Sequence, residues 1–346
     1  MPIVGGLDIH RKQLTFDYVD TVTGELQRGQ IAPADRPHLA GWLARRFAGR
    51  HDVEFAVEGC TGWRYVAEEL AAAGVVAHVG EPADTAALRG RKRHAKTDRT
   101  DSRHLRQLLC DGRLPECWIP PAHVLECRAL LELYRDLRVE HTAWTQRIHA
   151  VLFHQGAQQL GAGGLRTEQG QAELAAIAAA QQSPVGQRQV ATALAMLPAL
   201  DEHLDGVHRQ LVHAARHLSG AKVLADRLYG VGPVTALALC CWLAGAGRFS
   251  SARKAVRFTG LDVTVYSSDG KRAPGHLSRQ GPAVLRWCVY EAGKTHARAS
   301  APDHGNYAQV KDRIDGKRAA ISEARKIVRQ ACHILDDLGD DALTTT

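Results

Sequence analysis

Leu88–Leu109 reads LRGRKRHAKTDRTDSRHLRQLL, and the layout of the N-terminal part of the chain turns on it. Six cations lie between its second and twelfth residues: Arg89, Arg91, Lys92, Arg93, Lys96 and Arg99. Two carboxylates, Asp98 and Asp101, stand among them where an amphipathic pattern of Leu105, Leu108 and Leu109 begins. Residues three apart share a helix face, so both acids can point at one spot. Thr97 is placed to cap that helix, whose first turn favours carboxylates through its dipole. A capped helix after a solvated basic loop would read the same way. Phosphate-binding charge beside paired acids is also what metal-assisted phosphodiester chemistry uses. The deciding question is whether further acids stand at the right places.

Upstream, Ile3–Ile9 (IVGGLDI) reads as a buried strand, Leu14–Val19 alternates as a second strand, and Glu25–Ile31 follows the Thr23-Gly24 turn as a third. Pro37–Phe47 reads as a helix, Val53–Glu58 as a strand, Trp63–Ala73 as a helix and Val75–Val79 as a strand, before the basic loop and the helix after Asp98. Three strands, helix, strand, helix, strand, helix is the order of a ribonuclease-H-like (RuvC-like) α/β sheet. In that layout Asp8 lies in the first strand, Glu58 ends the fourth, and Asp98 and Asp101 open the last helix. Four acids from three elements would converge at the sheet end, where two magnesium ions ~3.5–4 Å apart could activate a nucleophile and stabilise a leaving oxygen. Asp17, Asp20 and Glu54 read as solvated strand residues.

The chain has 346 residues, 45% of them hydrophobic and 23% charged, with a formal net charge of +7. It can therefore bury a full core in two or three units, and its charge leans towards a polyanionic partner. The eight cysteines include no CxxC pair and sit mostly in apolar surroundings, as reduced core thiols do. No apolar run reaches membrane-spanning length and the N-terminus lacks signal-peptide order, so a soluble intracellular protein without membrane partners is expected.

The middle is helical. Leu130, Tyr134, Leu137, His141, Trp144, Ile148 and Val151 form one heptad seam, and Leu197, Leu200, Leu204, Val207, Leu211, Ala214 and Leu218 form a second. They fit either an intramolecular hairpin or a coiled coil between copies. Leu228–Ala244 is an apolar helix opened by Gly230-Val231-Gly232-Pro233. Gly230 and Gly232 make it helix-hairpin-helix-like, able to hold a phosphate on backbone N–H groups, or simply a tight turn with Pro233 at the first helical position. In Leu261–Arg286, three serines lie among cations: Ser267 and Ser268 before Lys271 and Arg272, and Ser278 beside Arg279. The last helix, Asp315–Leu338, is basic and amphipathic, and the short tail from Asp336 to Thr346 reads as frayed.

These residues resemble a known family. Asp8 in GLDIHRKQL, Glu58 in AVEGCTGW, and Asp98 with Asp101 in KTDRTDSRHL look like the DEDD tetrad of the IS110 family of insertion-sequence transposases. FTGLDVTVYSSDG followed by HLSRQGPAVLR is similar to that family's serine-bearing domain, so the resemblance covers nearly the whole chain. It implies a RuvC-like domain over 1–115, a helical coiled-coil connector over 116–220, a mostly α serine transposase domain over 221–340 and a tail over 341–346. It further implies Mg2+ on the tetrad, Ser268 as the nucleophile with Ser267 adjacent in register, and Ser278 as a phosphate contact. Arg89, Arg91, Lys92, Arg93, Lys96, Arg99, Lys271, Arg272, Arg279 and Arg286 are the expected nucleic-acid contacts. The implied partners are a structured noncoding (bridge) RNA pairing with donor and target DNA, and further copies of the chain in dimers and tetramers. In these, Ser268 of one protomer meets the Asp8 cluster of another, in a prokaryotic cytoplasm at the nucleoid. The rival readings are a RuvC-type junction nuclease in which metal-bound water attacks, and a non-catalytic nucleic-acid-binding scaffold.

Overall fold

The computed structural model describes residues 2–89, 97–157, 165, 167–181, 183–245, 247–263, 267–268, 271–272 and 275–345, with backbone alone at 181, 267, 268, 271 and 272. The chain divides into two compact units, Met1–Ile119 and Pro120–Thr346.

In the first unit, alternating apolar residues make β1 (Ile3–Ile9), β2 (Leu14–Asp20) and β3 (Leu26–Ile31) an antiparallel meander. β4 (Val53–Glu58) and β5 (Val76–Gly80) add in parallel beyond β1, giving the order β3-β2-β1-β4-β5. α1 (Arg36–Phe47) leads from β3 to β4, and α2 (Trp63–Ala72) from β4 to β5. α3 (Pro82–Ala87), a short helix in a stretch with no expected element, precedes α4 (Asp98–Cys110).

Strand alternation gives this sheet two faces. On one, Phe16, Tyr18 and Phe55 pack with Trp42 and Phe47 of α1, ring centroids 4.8–6.3 Å apart. The other face lies under α4. A Cβ added at Gly6 would come within 2.1 Å of the Ser102 carbonyl oxygen, so the helix backbone rests directly on β1. Leu105 and Leu108 are buried, and Thr97 caps the helix by accepting from the Thr100 amide.

The second unit is mostly helical: α5 (Ala122–His154), α6 (Glu168–Gln181), α7 (Pro184–His217), α8 (Ser219–Arg227), α9 (Pro233–Leu243), α10 (Ala252–Phe258), α11 (Ala283–Thr295), α12 (His304–Arg313) and α13 (Gly316–Leu338). A two-residue hairpin, β6 (Ser267–Ser268) with β7 (Lys271–Arg272), lies between α10 and α11. Every residue of α9 from Ala236 to Leu243 is buried, as expected of an apolar helix with no polar stripe. The two heptad seams face each other within one chain: α5 packs along α7, with His141 Nε2 3.2 Å from Asp201 Oδ1 and the Tyr134 and His208 rings in contact.

The chain's last turn departs from the frayed-tail reading. Gly339–Leu343 forms a 3-10 helix, Ala342 is fully buried, and the Thr344 carbonyl accepts from both the amide and the hydroxyl of Ser219. The buried Ala342 methyl and these two bonds hold a segment whose polar sequence suggested solvent. Among the described residues no helix is long and apolar enough to cross a membrane.

Candidate active site

β1 and β4 are parallel neighbours, with Leu7 opposite Val57. Asp8 and Glu58 each follow that pair by one residue, at the C-terminal ends of the two strands. Asp8 has the parity of Gly6, and Glu58 that of Ala56, which pairs with Gly6, so both acids stand on the face that α4 covers. They are close enough to one thiol to act on it together: burial first, then the Glu58 and Asp8 carboxylates, push Cys60 above the usual thiol range.

α4 brings its first turn to the same end. Gln13, in the β1–β2 connection just beyond Asp8, donates from Nε2 to Asp98 Oδ2 at 3.3 Å. Arg89 Nη1 donates to Asp101 Oδ1 at 2.6 Å, and Asp101 is buried. Asp8, Glu58, Asp98 and Asp101 are thus grouped at one end of the sheet, on one face. Carboxylate oxygens are ligands of the kind hard divalent cations take, although no three of these four residues have ligand atoms all within 4.8 Å of one another. Asp101 gives part of its capacity to a guanidinium, which lessens repulsion between the acids. Among the described residues, the set of three donor groups with ligand atoms all within 4.8 Å of one another is a different one, His296, Asp303 and Glu323.

The same face corrects the reading of the neighbouring acids. Asp17 is 1% exposed; Arg106 Nε donates to its Oδ1 at 2.5 Å and Arg28 Nε to its Oδ2 at 2.7 Å. Glu54 is half-buried and meets His78 Nε2 at 3.2 Å. Both are held by side chains of other elements, which the strand pattern alone does not reveal. Beside Asp17, Arg28, Arg99 and Arg103 help line a cavity of ≈ 510 Å³. Of the basic run, Arg89 is the Asp101 partner and Arg99 lines this cavity, while Arg91, Lys92, Arg93 and Lys96 lie outside the described residues.

In the second unit, the hairpin register sets Ser268 opposite Lys271 and Ser267 opposite Arg272. Ser278 Oγ donates to Asp262 Oδ1 at 2.5 Å. Gly230 adopts φ 76°, and an added Cβ there would meet Thr295 Oγ1 at 2.1 Å, so this glycine seats the turn against α11. Gly232 is the N-cap of α9, with Pro233 in the first turn.

Arg279 and Arg286 line a groove of ≈ 720 Å³ with Arg135, Arg138 and Lys317. Among its described lining residues these are five cations and no carboxylate. Burial first, then the Arg135 and Arg279 guanidiniums, hold Arg286 below its usual range. Arg135 and Arg138 escaped the sequence reading because they sit on a helix whose apolar seam dominates the pattern. Their spacing, three residues on one face, is the signal that points to them.

Two sequence profiles match the chain. A DEDD transposase profile of the IS110 type spans residues 5–154, and the profile described as Transposase IS116/IS110/IS902 family spans residues 223–309. An acid-bearing sheet followed by this second segment defines a transposase of an insertion sequence, a protein that acts on DNA. The chain belongs to the IS110 family of transposases. No curated protein matches it in a sequence comparison.

Proposed function

We propose that this transposase is an RNA-guided DNA recombinase in which Ser268 is the nucleophile and Asp8, Glu58, Asp98 and Asp101 hold magnesium. The observation that carries the reading is the grouping of those four acids on one face, at the ends of β1 and β4 and in the first turn of α4. The strand order β3-β2-β1-β4-β5, with α4 across it, supports a ribonuclease-H-like domain. Bound magnesium would supply Lewis-acid stabilisation of charge on phosphate oxygens.

The protein groups divide the remaining work. Ser268 Oγ attacks a phosphodiester: the Oγ–P bond forms, the P–O bond to the departing strand breaks, and the hydroxyl proton leaves as the strand end gains one. Lys271 and Arg272, across the hairpin from Ser268 and Ser267, suit stabilisation of the charged transition state. The ester keeps the phosphodiester energy, so joining to a new strand needs no ATP. The groove of Arg135, Arg138, Arg279, Arg286 and Lys317 fits a phosphate backbone. Sequence choice would rest on pairing by a structured noncoding RNA with donor and target DNA, protein contacts being to phosphate and shape. Copies of the chain would assemble as dimers and tetramers to bring a serine and an acid cluster together.

A second serine has an observation of its own: the short Ser278–Asp262 bond orients a hydroxyl beside Arg279. The test covers both. Ser268→Ala should bind RNA and DNA normally yet give neither a protein–DNA adduct nor recombinants, and peptide mapping of a trapped suicide substrate should place the DNA on Ser268. An adduct on Ser278 or Ser267 would move the nucleophile. Recombination by Ser268→Ala with no adduct anywhere would remove the serine mechanism.

A further inference from the structure

Away from the tetrad, the second unit buries a group of ionisable side chains that the proposed reaction does not use. His296, the residue that caps the end of α11, is 4% exposed, and α13 presents Glu323 inward, at 0% exposure, between Ala320 and Ala324. The helices touch at backbone level here: a Cβ added at Gly293 would meet the Ala320 carbonyl at 2.3 Å. Asp303, half-buried, stands at the start of α12 between them. A carboxylate and an imidazole in such a place cost several kcal/mol unless each polar atom finds a partner.

Several atoms have none. Both ring nitrogens of His296 and Glu323 Oε2 are buried without a hydrogen-bond partner. His296 Nδ1 and Glu323 Oε2 are 3.8 Å apart, too far for a hydrogen bond. Yet the other Glu323 oxygen is held: Asn306 Nδ2 donates to Oε1 at 2.5 Å, which fixes the carboxylate with Oε2 directed away from that partner. Asp303 is held in the same manner, with Lys326 Nζ 2.7 Å from Oδ2. One donor atom from each of His296, Asp303 and Glu323 lies within 4.8 Å of the others. Ligands bound at about 2.0–2.2 Å to one ion stand roughly 3–4.4 Å from one another, so this spacing suits a single divalent cation with little adjustment. Two carboxylates and a neutral imidazole match its charge. Secondary partners such as Asn306 and Lys326 are what orient ligands around a metal.

We infer that His296, Asp303 and Glu323 form a three-ligand site for a divalent transition metal of the zinc class, joining α11 to α12 and α13. An imidazole ligand favours zinc over magnesium or calcium, which prefer oxygen alone. The site is separate from the acids of the first unit and does not depend on how Ser268 acts.

The test uses the untagged full chain, stripped with chelator and re-equilibrated with Zn2+. Elemental analysis after dialysis should find one zinc per chain, retained when all four tetrad acids are replaced by amides and lost in Glu323→Gln and His296→Gln. Zinc at a hundredfold excess over its Kd should raise the Tm of the stripped wild type by about 5–10 °C, and leave Asp303→Asn, a half-exposed position that should fold, much less affected. Absence of zinc and of a Tm rise in the wild type would overturn the site. So would a full zinc response in Asp303→Asn and Glu323→Gln, or loss of all zinc on replacing the tetrad alone.

Discussion

Asp17 and Asp101 are both buried carboxylates on the α4 side of the sheet, and each is held by arginine, yet they stand in different situations. Asp17 is saturated, with Arg106 on one oxygen and Arg28 on the other. Asp101 has one guanidinium, Arg89, supplied from outside the sheet, and its neighbours at the same sheet end are further acids. On the proposed mechanism, burial and charge therefore do not by themselves separate a structural acid from a reactive one. The difference lies in the pairing: Asp17 meets an arginine at each oxygen, whereas Asp101 meets Arg89 at Oδ1.

The largest effect should come from the tetrad. Asp8→Asn, Glu58→Gln and Asp98→Asn should each reduce strand exchange to background while the far-ultraviolet spectrum and Tm stay near wild type; Asp101→Asn should do the same to exchange but with a lowered Tm, because it also takes the charge from the buried partner of Arg89. Wild-type rates for two of the four in well-folded protein would break the contrast. Asp17→Asn should act the other way. Removing one partner of a buried ion pair strands Arg106, so stability should fall by about 3–5 kcal/mol in urea titration, with strand exchange surviving in the protein that remains folded. If Asp17→Asn unfolds at the wild-type denaturant midpoint but cannot recombine, Asp17 belongs with the reactive acids.

Much of this arrangement was readable in the sequence. Strand alternation, Thr97 as a cap, and the Asp98–Asp101 spacing placed three elements and four acids. What alternation could not say is whether the polar side of a strand meets water or a helix. Asp17 looks solvated in LTFDYVD because its partner Arg106 is 89 residues away. Glu323 was hidden for a related reason, since a single acid on the inner face of a basic helix matches no motif, and His296 and Asp303 meet it only once α11 and α13 pack. The seams of α5 and α7 were visible as heptads, but periodicity does not tell a partner in the same chain from one in another copy.

Two smaller effects sharpen the comparison. Neutralising Arg91, Lys92 and Arg93 together should flatten the salt dependence of nucleic-acid binding by about one log–log unit for each duplex-DNA phosphate that these cations no longer neutralise. An unchanged slope would remove these three cations from the nucleic-acid contacts. Arg28→Ala should cost the least, below about 1 kcal/mol, because Arg28 is 51% exposed and water can replace it on Asp17. A destabilisation comparable to that of Asp17→Asn would show that both arginines are needed to keep the buried acid.

Gly5 and Gly6 leave the middle of β1 without side chains on either face: a Cβ on the first would strike the Phe55 ring at 2.1 Å, and on the second the Ser102 carbonyl at 2.1 Å. The height of α4 above the sheet is consequently fixed by main chain against main chain, a hard stop that no rotamer can soften. In a saturation library this should appear as a sharp map of tolerance. Leu105 and Leu108 would accept other apolar residues of similar volume, because repacking them does not lift the helix. Position 6 would accept nothing but glycine, since even one methyl group would raise the first turn of α4, with Asp98 and Asp101, away from the strand that carries Asp8.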